Sequence, residues 1–186
     1  MNSGFKGYGT KIPGLVLLEK YNKISNLASI NFKKITSEYD EYMLKIVNLI
    51  PVTTNTNLQL QFSLDGGSSW DASNQWYAEA QYCQNGGGTG VWGDNPNTSF
   101  SIAKNISNTT AGYALDATLY FSGVANPSLY EKIYGQVTYL NNSGFIWGAH
   151  FFAHFNVIAS YNAFKLFMSS GNILSGSARL YGYAKS

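Results

Sequence analysis

The sequence predicts an all-β fold, an antiparallel β-sandwich of jelly-roll type. Short runs of alternating apolar and polar residues recur along the chain, and Gly/Asn-rich turns separate them. No window carries the 3.6-residue period of a helix, and no 20–50-residue repeat suggests a propeller or solenoid.

Residues 1–14 are Gly-rich, with Phe5 and Tyr8 interleaved and Pro13-Gly14 closing the stretch. This segment reads as an extended arm or loop, either a frayed terminus or an arm whose two aromatics dock on a neighbouring subunit. Residues 15–186 read as one sandwich domain. Residues 15–20 are a short apolar strand, and 26–33 and 41–49 alternate. Leu58, Leu60, Phe62 and Leu64 alternate with Gln59, Gln61 and Ser63, the pattern of a half-buried strand. Leu115, Ala117, Leu119 and Phe121 face one way, and Asp116, Thr118 and Tyr120 the other. Residues 131–140 and 144–158 are strands joined by the turn Asn141-Asn142-Ser143-Gly144, and 161–168 and 175–183 are joined through Ser169-Ser170-Gly171-Asn172. Gly and Asn supply the positive φ that such turns need. Residues 84–112 are the least regular part: two mobile polar loops, with Trp92 held between them as a contact point.

One local motif is specific. Ser63-Leu64-Asp65-Gly66-Gly67-Ser68-Ser69-Trp70 resembles the Asp-box, a structural hairpin device of sialidases and other β-proteins, with Ser69 in place of Thr. In it Asp65 caps turn amides, Gly67 takes a positive φ and Trp70 packs beneath.

Charged residues are only 12% of the chain, against about 25% in an average domain. A surface of Ser, Thr, Asn, Gln and Tyr suits a subunit packed against others. The net charge is +2 and the single arginine is Arg179, so no nucleic-acid footprint is expected. Leu15-Val16-Leu17-Leu18 is too short to span a bilayer, no signal-peptide core is present, and a cytoplasmic origin is expected. Cys83 is the one cysteine and reads as a packed thiol.

No catalytic grouping stands out, and the expectation is a non-enzymatic protein without cofactor or metal. His150 and His154 lie on an alternating strand, where positions four apart are roughly 13 Å apart. They read instead as an aromatic-polar interface face with Phe152. Arg179 reads as an intra- or inter-subunit ion pair. Trp76 and Trp92 are the candidate sugar-stacking rings, with the neighbouring polar loop at Asp94 and Asn95 reading hydroxyls.

Three stretches carry a wider resemblance. They are Ile35-Thr36-Ser37-Glu38-Tyr39-Asp40-Glu41-Tyr42-Met43-Leu44 with Asn48-Leu49-Ile50-Pro51; Leu60-Gln61-Phe62 leading into the Asp-box; and Tyr161-Asn162-Ala163-Phe164-Lys165-Leu166-Phe167, then Ser170-Gly171-Asn172-Ile173, then Gly176-Ser177-Ala178-Arg179-Leu180-Tyr181-Gly182-Tyr183. This set resembles tailed-bacteriophage virion structural proteins of jelly-roll type. The resemblance implies a particle component made in the bacterial host's cytoplasm: a capsid decoration or head-fibre protein, or a tail module. It implies a homotrimer with other virion proteins as partners, and as an alternative a receptor module for a host-surface glycan.

Overall fold

The computed structural model describes residues 14–109 and 113–184, the side chains at 95, 96 and 184 excepted. These residues form twelve strands and no helix: β1 (Leu15–Leu27), β2 (Ser29–Phe32), β3 (Tyr39–Pro51), β4 (Thr56–Ser63), β5 (Trp76–Gln84), β6 (Thr89–Asn97), β7 (Phe100–Ile106), β8 (Leu115–Ser122), β9 (Tyr130–Leu140), β10 (Ile146–Ile158), β11 (Ala163–Met168) and β12 (Ile173–Ala184). They build two antiparallel sheets, an eight-stranded one in the order β1-β12-β3-β8-β9-β10-β5-β6 and a four-stranded one in the order β2-β11-β4-β7. The chain is the all-β sandwich that its alternation predicts.

The alternation places the core. Tyr42, Leu44, Ile46 and Leu49 of β3, and Leu115, Ala117, Leu119 and Phe121 of β8, point inward from the large sheet. Ile30 and Phe32 of β2, Leu60 and Phe62 of β4, and Phe164 and Leu166 of β11 meet them from the small sheet. Phe164 stacks on Phe32 at 4.8 Å and on Phe121 at 5.1 Å, so one ring joins both sheets. Gly135 sits mid-sheet between Leu119 and Phe151; a Cβ there would lie 2.2 Å from the Thr118 carbonyl and 3.0 Å from the Phe151 ring.

Four expectations change. The first strand runs on to Leu27 and is separated from β2 by a bend at Ala28. Residues 84–112, expected as loops, hold β6 and β7; the glycines and Pro96 of β6 weaken a strand signal, yet an edge position tolerates them. The Asp-box joins β4 of the small sheet to β5 of the large one, and is therefore a sheet crossing rather than a hairpin. Its local geometry is as expected. Asp65 accepts from the Ser68 and Ser69 amides at 3.0 and 2.8 Å and from Ser69 Oγ at 2.7 Å, bonds that hold its carboxyl well below the usual range. Gly67 has φ +87° and lies against the Trp70 ring. Cys83 is exposed rather than packed. The expected arm, with Phe5 and Tyr8, lies outside the described residues.

One core position is costly. Glu131 is fully buried on the inward face of β9, and neither carboxylate oxygen has a hydrogen-bond partner of ordinary geometry. Burial pushes its pKa from 4.5 to about 8; the backbone amides of Glu131 and Ala159 offset this only in part. The folded chain keeps a proton that the unfolded chain releases. The stability tied to this group is therefore complete below about pH 4.5 and is lost as pH rises towards 8. Urea denaturation across that window should show stability falling by up to about 1.4 kcal/mol per pH unit, and Glu131→Gln should flatten the slope. An equal slope in the variant would assign the effect to another group.

Candidate functional site

The residues out of phase with the core form the outer face of the eight-stranded sheet, and the strand registers align them in rows. Leu17 lies beside Tyr181, Tyr181 beside Met43, Met43 beside Tyr120, Tyr120 beside Tyr134, and Tyr134 beside Phe152. This row crosses six strands over roughly 24 Å. On one side runs a second row: Lys20, Arg179 and Lys45, then Thr118, Gln136, His150 and Gln81. On the other side Lys132 lies beside His154, and His154 beside Tyr77.

Several of these side chains are fixed. Tyr120 and Tyr134 stack at 5.1 Å, and the Tyr134 hydroxyl donates to Glu41 Oε1 at 2.7 Å. That bond, with Glu41's negative charge, pushes the Tyr134 pKa up to about 12. His154 lies flat on Tyr77, with centroids 5.3 Å apart and planes 8° apart. Lys45 Nζ donates to Thr118 Oγ1 at 2.9 Å. Between β9 and β10 the face dips into a groove of about 480 Å³ lined by Tyr130, Lys132, Tyr134, Phe152, His154 and Asn156. Phe152 is 61% exposed there.

The expected interface residues share this face. His150, Phe152 and His154 project together from β10, while Arg179 stands on β12, four strands away at roughly 19 Å. Arg179 has cationic neighbours in register on both sides, Lys20 and Lys45, so the expected ion pair is not built into those positions. His150 and His154 sit beside different partners, Gln136 and Lys132. Among the described residues no group of three or more His, Cys, Asp or Glu side chains is placed to hold a metal.

The expected sugar-binding set separates. Trp76 is fully buried, stacked between Phe62 at 5.4 Å, Phe100 at 5.7 Å and Phe155 at 4.8 Å, and offers a ligand no surface. Asp94 is buried as well; it pairs with Lys104 at 2.7 Å and accepts from the Ser101 amide at 2.7 Å, which ties β6 to β7. The side chain of Asn95 lies outside those described. Trp92 is half-buried in a ladder on the inner face, 5.7 Å from Tyr82 and 5.9 Å from Trp147, whose Nε1 donates to Gln84. It is a strand residue, not a ring held between loops.

Among the face's other members, Met43, Tyr120, Tyr134 and Tyr181 were assigned no binding role by the sequence. Their signal is tyrosine or methionine in the solvent phase of alternating strands, where Lys, Thr and Gln are the ordinary occupants.

No protein-family model matches this chain, and no curated protein aligns with it significantly.

Trp76→Ala should destabilise the fold by about 3–5 kcal/mol, whereas Trp92→Ala, at a half-exposed position, should cost clearly less. Guanidinium denaturation monitored by circular dichroism measures both; similar small losses would show that Trp76 is not the ring that closes the core.

Proposed function

We propose that this chain is a non-enzymatic surface component of a tailed-bacteriophage particle, either decorating the capsid or attached to the tail, and that it works as a homo-oligomer. The sequence resemblance suggests the particle and a trimer. The strand order supports a jelly-roll reading: β1, β12, β3 and β8 in one sheet stand against β2, β11, β4 and β7 in the other, with β1 to β4 alternating between layers and β11 and β12 doing so again. The strands β9, β10, β5 and β6 then widen the first sheet.

The observation that carries the oligomer is the edge strand β1. Leu15, Val16 and Leu17 at its start are 44%, 40% and 45% exposed, and Tyr183 beside them is 36% exposed. An apolar edge with free backbone groups is an aggregation template unless another chain covers it. The far half of β1 carries the usual protection: Lys20, Lys23 and irregular register between Tyr21 and Ile24. The opposite edge, β6, carries Gly93 and Pro96. The unprotected half is therefore the contact with a neighbouring subunit.

A second reading, a carbohydrate-binding receptor module, draws on the β9–β10 groove, where exposed rings stand among amide, imidazole and ammonium groups.

Light scattering of the purified protein should give a multiple of the single-chain mass, and the double variant Leu15→Lys, Leu17→Lys should give one chain with an unchanged circular dichroism spectrum. A wild-type monomer at high concentration counts against the assembly. Cryo-electron microscopy of the particle locates the subunit, and its absence from purified virions would remove the particle role.

A further inference from the structure

We infer that the β9–β10 groove on the outer face binds an acidic saccharide, a pyranose carrying a carboxylate. The inference rests on the second reading above and gives it a site that differs from the sequence-predicted one.

The groove has two kinds of wall. Tyr134 and Phe152 are row neighbours on β9 and β10, and Tyr130 extends the apolar side at the start of β9. All three rings are well exposed, at 47%, 61% and 45%. Phe152 interrupts a run of polar outward residues on β10, His150, His154 and Asn156. A ring so placed offers a platform for the C–H face of a sugar. The polar wall is Lys132, His154 and Asn156, which present donors along one side of those rings.

Part of the groove is already set. Tyr134 is held from behind by its stack on Tyr120 and by its bond to Glu41, and His154 by its stack on Tyr77. The freedom of these two side chains is not lost when a ligand enters, which helps a shallow site to bind.

Charge selects the ligand class. Apart from tyrosines, the ionisable side chains lining the groove are Lys132 and His154, and no carboxylate is among them. The nearest acids on this face are Glu41, engaged by Tyr134, and Glu79, which lies on β5 on the far side of Phe152. A ligand carboxylate set against Lys132 meets a donor and no opposing acid within the groove. The volume, about 480 Å³, is that of an ordinary small-ligand site. The groove lies several strands from the β1 edge, so assembly and sugar binding can coexist.

The test is calorimetry with the full chain against tri-galacturonate and 3′-sialyllactose, with galactotriose and lactose as their neutral counterparts. Binding of at least one acidic probe is expected, weakened roughly fivefold to tenfold by Phe152→Ala and by Lys132→Gln. The Leu15→Lys, Leu17→Lys variant should bind as the wild type does, which separates this site from the assembly surface. Four results overturn the inference: no binding of either acidic probe, equal binding of a neutral counterpart, competition by uridine monophosphate at matching affinity, or binding indifferent to both groove variants. Loss of the oligomer in Phe152→Ala would also overturn it, since the groove would then be a subunit contact.

Discussion

The fold depends on the stack of Trp76 with Phe62, Phe100 and Phe155. A four-stranded sheet cannot cover an eight-stranded one, and the added strands β9, β10, β5 and β6 need something to bury against. Phe62 and Phe100 come from β4 and β7 of the small sheet; Trp76 and Phe155 come from β5 and β10 of the large one. The aromatic cluster therefore pins the widened half of the large sheet to the last strands of the small one. The ion pair of Asp94 with Lys104 repeats that connection in polar form between β6 and β7.

Covering the inner face in this way leaves the outer face of the large sheet without a second layer among the described residues. A solvated sheet ordinarily shows Thr, Lys and Gln there, and of the two outer rows across this face the one from Lys20 to Gln81 largely does. The row between them holds aromatic and sulfur-bearing side chains, and at its centre Tyr120 and Tyr134 are ordered by their stack and by the bond of Tyr134 to Glu41. Such ordering, present before any partner arrives, favours the binding role proposed for this face. The buried Glu131 expresses the opposite choice: a polar group accepted inside the core at a cost in stability.

Strands whose sequence alternates strictly and holds few glycines, such as β4 and β8, were legible because the apolar residue in each pair must enter the core, even though Gln61 and Ser63 of β4 are buried as well. β6 was not, because Gly90, Gly93 and Pro96 have low strand propensity and only its pairing with β5 makes it a strand. Trp76 follows Ser73-Asn74-Gln75 and looks locally like a loop aromatic; its burial is decided by Phe100 and Phe155, both distant in sequence. The same limit hid the outer row. Each tyrosine can be assigned to the solvent phase of its own strand, but which tyrosines become neighbours is a matter of register across strands. His150, Phe152 and His154 were legible as a group because they share one strand.

The pairing of β1 with β12 has a mechanical consequence. Leu15 is registered with Tyr183, so both ends of the described chain leave the sandwich side by side at one corner. A pull applied through those ends would load the β1–β12 ladder one hydrogen bond at a time, from the corner inward, and would not shear the sheet as a whole. The strands around Trp76 lie at the other side of the sheet and would carry none of that first load. A neighbour clamping the free edge of β1, as in the proposed oligomer, would oppose that load, so assembly would add toughness as well as cover.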